Sequence, residues 1–334
     1  MADEYIPPAW LRNGHVNTLY SYLRPRRAAL PPPQDARLAV AAGVRLLLRC
    51  HWQPAPAPAL LLVHGLEGHS DVGYMRTMAA KAARRGWHVI RMNVRGCGAS
   101  EADSATLYNS GLSGDLAQAA AWVCAQPRVA ALGLVGFSMG GNTVLKYAGE
   151  LGAGAWPPLD RLAACAAVSA CLDLAESADA LHRRPCWLYE RRFLFHLHRR
   201  VRRWQARTGA DGGFARRRYR SIRDFDDRVV APLFGYRDAA DYYFRASAAR
   251  VLASIRVPTL VLHAEDDPFI VVTAASRALM AANPAIEFRV TRYGGHCAFM
   301  NPQNGADPDP YWAENRVLDF CARAFRAPGF RGTI

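Results

Sequence analysis

The chain has 334 residues, of which 51% are hydrophobic and 21% charged, so it can bury a sizeable core and is neither disordered nor of low complexity. Its formal net charge is +14, and all of its basic residues except Lys81 and Lys146 are arginines. No apolar run reaches the ~18 to 20 residues that a membrane-spanning helix needs. The acidic start, Met1-Ala2-Asp3-Glu4, does not fit a signal peptide. We therefore expect a cytoplasmic protein.

Short apolar runs alternate with helical patterns along most of the chain. Residues 1–37 are rich in proline and predict an extended lead-in with a short helix near 9–12. The later runs predict strands at 44–52, 60–64, 87–94, 131–137, 163–170, 258–263 and 286–292. The helical patterns lie at 75–85, 113–125, 139–150, 273–282 and 311–325.

This alternation is typical of an α/β protein with a mostly parallel central sheet and helices on both faces. It is interrupted between residues 173 and 252, a segment rich in arginine, histidine and aromatic residues that has a helical pattern and no strong strand. The sequence therefore predicts one α/β core in two parts, 1–172 and 253–334, with a helical insertion at 173–252.

The eight cysteines include no Cys-x-x-Cys pair, and most of them lie in apolar stretches. This pattern predicts buried, reduced thiols rather than a zinc site. No other pattern in the chain calls for a metal or a cofactor, so we expect neither.

Gly136-Phe137-Ser138-Met139-Gly140 matches Gly-x-Ser-x-Gly at the point where a predicted strand runs into a predicted helix. A serine on such a turn is held in strained geometry with its hydroxyl exposed, as a nucleophile requires. The alternative is a glycine-rich turn that carries an incidental serine. The strand before the turn and the helix after it favour a nucleophilic Ser138.

A serine hydroxyl needs a base, and the base needs a carboxylate to orient it. With the nucleophile on this kind of turn, the acid and then the histidine follow in the chain, each after a later strand. Asp266 and Asp267 come directly after the strand at 258–263, and His296 lies on a glycine loop after the strand at 286–292. Either aspartate is placed to orient His296.

The loop His64-Gly65-Leu66-Glu67-Gly68 follows the strand at 60–64. Acyl transfer passes through a tetrahedral intermediate whose oxyanion needs two backbone N–H groups aimed at it. We expect one from Met139, directly after the serine, and the other from Leu66. The alternative for this loop is a tight turn with a structural histidine.

Together these motifs resemble the alpha/beta hydrolases and, within them, the YheT-like branch, the bacterial relatives of the membrane-anchored mammalian ABHD lipases. The resemblance is carried by blocks that span nearly the whole chain, at 13–18, 64–68, 74–76, 93–98, 107–111, 136–140, 225–227, 231–232, 242–243, 266–269 and 295–296. Two features depart from the family pattern: the dense run of arginines in the insertion and the missing membrane anchor.

The resemblance implies an alpha/beta-hydrolase fold in which the insertion at 173–252 is a helical cap over the serine. It implies a serine esterase that cleaves short- or medium-chain acyl esters or acylglycerols. The implied triad is Ser138, Asp267 and His296. Asp267 is preferred to Asp266 because the sequence from Ala264 to Ile270 resembles the acid loop of these hydrolases.

Between residues 183 and 228 the insertion carries fifteen arginines with aromatic residues between them. An apolar face of this cap is expected to line the acyl pocket. Its basic face predicts peripheral contact with an anionic membrane surface. The alternative is a solvated helical face with no partner.

The expected partner of the site is a small-molecule ester or lipid substrate. A thioesterase or an acyltransferase uses the same triad, and the sequence does not separate them from an esterase. A non-catalytic binder of anionic lipid or nucleic acid is the alternative from another class. No helix-turn-helix, zinc-finger or RNA-recognition pattern is present, which disfavours nucleic acid.

Overall fold

An eight-stranded sheet with helices on both faces forms the core of the computed structural model, which describes residues 4–210, 212–302 and 307–327. Residues 1–3 of the acidic start, residue 211 of the predicted insertion, and residues 303–306 and 328–334 of the predicted C-terminal core part lie outside the described residues. The strands are β1 Gln34–Ala41, β2 Val44–His51, β3 Ala57–Val63, β4 His88–Asn93, β5 Val129–Phe137, β6 Leu162–Val168, β7 Thr259–Ala264 and β8 Ile286–Thr291.

The strand order across the sheet is β1-β2-β4-β3-β5-β6-β7-β8. The six strands from β4 to β8 in this order pair in parallel, and β2 pairs antiparallel with both β1 and β4. The helices are α1 Gly14–Leu23, α2 Gly73–Arg84, α3 Ser113–Cys124, α4 Met139–Gly152, α5 Leu174–Leu181, α6 Trp187–Thr208, α7 Ile222–Phe225, α8 Ala231–Phe234, α9 Ala239–Ala246, α10 Ala274–Ala282 and α11 Trp312–Phe325.

The central strands are apolar on both faces because helices cover both. In β3, Leu60 and Leu62 pack into one core cluster, whereas Leu61 and Val63 pack into the other, as the two-residue period of a strand requires. Helices α2 and α11 contribute to the first cluster, and α3 and α4 to the second. The predicted mostly parallel α/β fold is confirmed.

Helices α5 to α9 lie between β6 and β7, within the segment 173–252. They bury apolar side chains in the same cluster as α3 and α4, among them Leu181, Leu197 and Phe225. A π-helical turn, Asp226–Val230, joins α7 to α8. The insertion therefore packs on the core rather than forming a separate body.

The predicted short helix near 9–12 is present as a 3-10 turn at Ala9–Leu11, but the prediction of an extended lead-in over residues 1–37 is wrong for α1, and it did not identify β1 as a strand of the sheet. Helix α1 forms because Asn13 caps it, its side chain accepting hydrogen bonds from the N–H groups of His15 (3.0 Å) and Val16 (3.2 Å). Strand β1 pairs with β2 at the edge of the sheet. Its pattern is polar because one face is open to solvent.

Among the residues that the model describes, no helix combines the length and the apolar character needed to cross a bilayer. The longest, α6, has 22 residues and carries many arginines. The eight cysteines are all free thiols, and all except Cys124 and Cys297 are buried.

Candidate active site

Four loops that carry predicted site residues leave the same edge of the sheet. His64 follows β3, Ser138 follows β5, Asp267 follows β7 and His296 follows β8. These strands are parallel, so their carboxyl ends meet, which is where open α/β sheets bind their ligands. The fold thus brings residues up to 232 positions apart in the chain into one place.

Ser138 lies on the sharp turn between β5 and α4, with φ 55° and ψ −118°. A non-glycine residue in this region is strained, at a typical cost of about 1–3 kcal/mol. The turn requires glycine at positions 136 and 140, because neighbouring backbone atoms come too close there to leave room for a side chain. A Cβ on Gly140 would lie 2.4 Å from the carbonyl oxygen of Val63, and one on Gly136 would lie 2.1 Å from the oxygen of Gly140.

Ser138 Oγ lies 3.0 Å from Nε2 of His296. The other ring nitrogen of His296, Nδ1, lies 2.9 Å from Oδ2 of Asp267. Because a carboxylate only accepts hydrogen bonds, Nδ1 carries the proton in the neutral ring and Nε2 is free to accept from the serine hydroxyl. The structure thus brings all three predicted residues into one hydrogen-bonded chain.

The two neighbouring aspartates occupy different positions. The second oxygen of Asp267, Oδ1, accepts hydrogen bonds from the N–H groups of Phe269 (3.2 Å) and Ile270 (3.0 Å). Oδ1 of Asp266 instead accepts the N–H of Gly295, at 2.8 Å. Asp267 therefore contacts the histidine ring, and Asp266 holds the loop on which His296 lies.

The opposite charges of His296 and Asp267 shift the pKa values of both groups. Burial alone lowers the pKa of His296, but the carboxylate of Asp267 and the sulfur of Cys297 outweigh burial and raise this pKa above its usual value. Burial alone raises the pKa of Asp267, but the charge and hydrogen bond of His296 keep it below its usual value. Asp267 therefore stays ionised and is able to stabilise an imidazolium at His296.

A cavity of about 110 Å³ opens at Ser138. Leu66 and Met139, the predicted oxyanion-hole residues, line it next to the serine. Met139 is the first residue of α4, where main-chain N–H groups have no partner within the helix. The inserted helices contribute apolar lining residues: Leu174, Leu181, Phe193, Leu197, Ile222 and Phe225.

Residues 58–303 match the family model described as the alpha/beta hydrolase fold. The chain belongs to the alpha/beta hydrolase family. The protein YheT of Escherichia coli (strain K12), which carries a provisional esterase name, is 30% identical over 95% of this chain and 92% of its own length. This similarity places the hydrolase in the YheT-like branch, as its sequence motifs predict.

Two eukaryotic relatives carry more specific names. A Saccharomyces cerevisiae protein named monoacylglycerol lipase is 26% identical, over 90% of this hydrolase and 64% of its own length. The human protein named phospholipase ABHD3 is 27% identical, over 90% of this hydrolase and 74% of its own length. Both names describe enzymes of the esterase and lipase type.

Solved structures show the same fold. The Pyrococcus furiosus esterase Pf2001 aligns with a TM-score of 0.59 at 15% identity, over 90% of this hydrolase and 96% of that chain. The 2,6-dihydroxy-pseudo-oxynicotine hydrolase aligns with a TM-score of 0.57 at 18% identity, over 92% and 71% of the two chains. At these identities the similarity concerns the fold alone.

Sequence reasoning missed the contribution of α1 to the histidine loop. Thr18 Oγ1 accepts a hydrogen bond from the main-chain N–H of His296 (2.8 Å) and donates one to the carbonyl oxygen of Gly14 (2.6 Å). Asn17 accepts the N–H of Met300 on the same loop, at 3.2 Å. The sequence signal for this contact is the block at 13–18, which is part of the family resemblance but for which no role was predicted.

Glu67 connects the loop after β3 to the inserted helices. Its Oε1 accepts hydrogen bonds from the Tyr108 hydroxyl (2.7 Å) and from Nε of Arg200 on α6 (2.7 Å). The main-chain N–H of Glu67 also donates to the Tyr108 hydroxyl, at 3.1 Å. Because Leu66 directly precedes Glu67, α6 fixes the backbone that carries a predicted oxyanion donor.

His64 has a structural position. The N–H of Val94 donates to its Nε2 (3.1 Å), so Nδ1 carries the proton and donates to the carbonyl oxygen of Gly65 (2.8 Å). Burial lowers the pKa of His64 to about 4. Both ring nitrogens are therefore occupied. Within 4–210, 212–302 and 307–327, no group of three or more His, Cys, Asp or Glu side chains is arranged to hold a metal ion.

Proposed function

We propose that this alpha/beta hydrolase cleaves carboxylic esters through an acyl-enzyme formed on Ser138. One observation carries the proposal: the chain of contacts from Ser138 through His296 to Asp267 lies at the mouth of an apolar cavity. This arrangement supplies a nucleophile, its base and a place for an acyl chain. The names of the relatives, an esterase, a lipase and a phospholipase, support the same class.

In the first half-reaction, Ser138 Oγ attacks the ester carbonyl carbon while Nε2 of His296 takes the hydroxyl proton. The carbonyl oxygen becomes an oxyanion, which the N–H groups of Leu66 and Met139 stabilise. The intermediate then collapses, the bond to the alcohol oxygen breaks, and His296 returns its proton to that oxygen. The alcohol leaves and the acyl group stays on Ser138.

In the second half-reaction, water attacks the acyl-enzyme while His296 takes one of its protons. The same two N–H groups hold the second oxyanion. Collapse releases the carboxylic acid, and the proton on His296 returns to Ser138 Oγ. Asp267 stays ionised throughout and holds the ring in the tautomer that both steps need.

Helices α5, α6 and α7 act as a cap in this proposal, because their apolar side chains line the cavity that opens at Ser138. The cavity of about 110 Å³ is smaller than the ~300–1,000 Å³ typical of pockets for drug-sized ligands. Its size and apolar lining support short- or medium-chain acyl esters or acylglycerols as substrates.

The first test combines labelling by a fluorophosphonate with hydrolysis of p-nitrophenyl esters of increasing chain length. We expect the wild type to be labelled and to turn over short and medium chains. Ser138→Ala is expected to lose the label and at least about 10³-fold in kcat, because no other group replaces the nucleophile. Ser254→Ala, before β7 and away from the carboxyl edge, is the matched control and keeps both activities.

A folded wild type that neither labels nor hydrolyses any ester would contradict the proposal. Equal labelling of the wild type and Ser138→Ala would place the reactive nucleophile elsewhere. Thermal unfolding of both proteins shows whether each is folded under the assay conditions.

Acyl transfer to an alcohol is a second candidate. It is favoured by a relative of 26% identity named medium-chain fatty acid ethyl ester synthase/esterase 2, from Saccharomyces cerevisiae. An alcohol in place of water would attack the same acyl-enzyme and give a new ester. Product analysis with added ethanol or glycerol separates the two: a transferase forms ester in preference to acid, and a hydrolase forms acid.

A further inference from the structure

Exposed apolar side chains are concentrated on one part of the surface. The described residues include eleven large hydrophobic side chains that are well exposed, and nine of them lie between residues 6 and 23 or on α6. The nine are Ile6, Trp10, Val16, Leu19, Tyr22, Leu23, Trp187, Leu188 and Phe195. Leu23 and Leu188 are 72% and 71% exposed. Clusters of this kind mark interaction surfaces, whereas single exposed apolar residues do not.

Helix α1 and the first half of α6 are neighbours. The ring of His15 stacks on that of Tyr189, with centroids 5.7 Å apart and planes 17° apart, and Nδ1 of His15 lies 3.3 Å from the tyrosine hydroxyl. The guanidinium of Arg192 lies 4.9 Å from the centre of the Tyr22 ring. The two helices therefore present their exposed residues on a common surface, which we call the α1–α6 face.

The spacing of these residues follows the helical period. On α6, Leu188, Arg191, Arg192, Phe195 and Arg199 are spaced by three or four residues and form one exposed stripe. On α1, Val16, Leu19 and Leu23 form a second stripe at the same spacing. Each stripe is a helix surface that carries apolar side chains and is covered by no other described part of the chain.

Arginines surround the apolar residues. Six exposed arginines of this region have no carboxylate partner among the residues that the structure describes: Arg183, Arg184, Arg191, Arg192, Arg199 and Arg202. Their neighbours on α6, by contrast, are paired: Arg200 with Glu67 and Arg203 with Glu101. On α6, Arg191, Arg192, Arg199 and Arg202 therefore carry positive charge that no described carboxylate neutralises, in the same helix as the exposed aromatic and aliphatic side chains.

The α1–α6 face borders the candidate active site. Tyr189 packs on Phe269 with ring centroids 5.3 Å apart, and Phe269 packs on His296 at 4.3 Å. Thr18 of α1 holds the main chain of His296. A surface that contacts this face therefore lies next to the cavity that opens at Ser138.

We propose that the α1–α6 face docks on an anionic lipid bilayer, with its apolar side chains in the headgroup boundary and its arginines on lipid phosphates. Exposed aromatic and aliphatic residues surrounded by arginine are what a peripheral membrane surface requires. A second copy of the chain is a poorer occupant, because pairing two such faces would bring arginines against arginines. Docking would deliver an ester from the bilayer to the cavity, a consequence that rests on the proposed function.

The test is co-sedimentation of the full chain with vesicles, either pure phosphatidylcholine or with 30% phosphatidylglycerol. We expect binding to the anionic vesicles, weaker binding at raised salt, and little binding to the neutral ones. Leu19→Asp/Leu188→Asp is expected to weaken binding at least about tenfold, because each change removes an inserted side chain and adds a negative charge. The matched control, Phe244→Asp/Leu279→Asp, changes the two large exposed hydrophobic side chains that the described residues include outside the face, and it keeps more of the binding.

A second pair of variants separates the face from the net charge. Arg191→Glu/Arg199→Glu and Arg216→Glu/Arg218→Glu change the charge of the chain equally, but only the first pair lies on the face. Equal loss of binding in both pairs, or no binding of the wild type to anionic vesicles, would overturn the proposal. So would a wild-type dimer in sedimentation velocity that Leu19→Asp/Leu188→Asp converts to monomers.

Two further measurements separate docking from catalysis. Ser138→Ala is expected to bind anionic vesicles as the wild type does, and the face variants are expected to hydrolyse a soluble short-chain ester at the wild-type rate. Vesicle binding without any ester hydrolysis would remove the proposed function and leave docking intact. Ester hydrolysis without vesicle binding would overturn the docking proposal and leave the proposed function intact.

Discussion

Asp266 and Asp267 are adjacent in the chain, but their carboxylates contact different groups. Asp267 lies 2.9 Å from Nδ1 of His296, whereas Asp266 accepts the main-chain N–H of Gly295. Burial raises the pKa of Asp266, and the charge of the neighbouring Asp267 raises it further. One aspartate is therefore arranged to stabilise charge on the histidine and the other to position its loop.

Exchanging each carboxylate for an amide tests this division. In Asp267→Asn the amide N–H₂ faces the ring and favours the wrong tautomer, so we expect kcat for a soluble ester to fall about 10³- to 10⁴-fold. Asp266→Asn keeps an oxygen that accepts the Gly295 N–H, and its kcat is expected to stay within about tenfold of the wild type. A folded Asp266→Asn protein with the larger loss would exchange the two assignments.

At the scale of elements, the contact between α6 and the loop after β3 is where the insertion acts on the core. Arg200 donates to both carboxylate oxygens of Glu67, with Nε 2.7 Å from Oε1 and Nη2 3.3 Å from Oε2. Arg200 also donates to the carbonyl oxygen of Gly96. Both members of the pair are largely buried. Their pairing therefore has consequences for stability and for the position of Leu66.

Removing the arginine separates these consequences. Arg200→Met leaves Glu67 as a buried unpaired charge, which typically costs about 3–5 kcal/mol of unfolding free energy. The double variant Arg200→Met/Glu67→Gln relieves that charge and is expected to recover much of the stability. We expect kcat in the double variant to remain roughly 10- to 100-fold below the wild type, with KM little changed, because the Leu66 N–H is no longer fixed.

Denaturant unfolding and steady-state kinetics on the same samples provide the comparison. Arg203→Met/Glu101→Gln is the matched control, because it breaks the neighbouring ion pair of α6 at a more exposed position. Full recovery of kcat together with stability in the Arg200 double variant would show that the pair acts on folding alone.

The elements that the sequence predicted well are those whose pattern is set by burial. Strands β3, β5, β6 and β7 are largely apolar runs and β4 is buried throughout, and the structure ends all five within a few residues of the predicted bounds. Strand β1 was not predicted, because it is an edge strand with one open face and carries Gln34, Asp35 and Arg37, which are typical of loops. Helix α1 escaped because its ten residues follow prolines, and its cap at Asn13 was the only local signal.

The candidate site could be predicted from fewer sequence features than the whole fold. The order of Ser138, Asp267 and His296 along the chain, each after a strand, was enough to place them at one edge of the sheet. The contacts of Thr18 with His296 and of Arg200 with Glu67 join residues 278 and 133 positions apart. They depend on how α1 and α6 pack on the core, which no local pattern encodes.

At the scale of the whole molecule, Asp226 links stability to pH. It is buried in the wall of the cavity, where the Tyr243 hydroxyl donates to its Oδ2 at 2.7 Å. Burial raises the pKa of Asp226 from 3.8 to about 7, and the Tyr243 hydrogen bond and the nearby charge of Arg223 offset only part of that rise. The folded chain therefore keeps this proton over a pH range in which the unfolded chain has lost it.

The contribution of Asp226 to the free energy of unfolding must then fall as the pH rises from about 4 to about 7, because this group binds more protons in the folded state there. Asp226→Asn has no such titration and keeps an oxygen for the Tyr243 hydroxyl. Each pKa unit by which folding raises the pKa of a group costs about 1.4 kcal/mol of stability once the group has ionised. We therefore expect the unfolding free energy of Asp226→Asn, relative to that of the wild type, to increase by roughly 2 to 4 kcal/mol between pH 5 and pH 8.

Urea unfolding of both proteins at pH 5, 6, 7 and 8 measures this difference directly. Asp227→Asn, which changes the exposed neighbour of Asp226, controls for the loss of one negative charge. A stability difference between wild type and Asp226→Asn that stays constant across this range would show that Asp226 titrates alike in the folded and unfolded states.

The contacts of α1 also have a consequence for how the cell makes this protein. Thr18 and Asn17 of α1 hold His296 and Met300, and Arg26, three residues after α1, pairs with Glu314 on α11 at 2.6 Å. The partners of this early segment therefore lie in the last part of the described chain. A ribosome releases these partners about 280 codons apart. During translation Ser138 is already outside while its histidine is still being added. Under the proposed function, a nascent chain is therefore inert toward esters until His296 and the loop that carries it have been added.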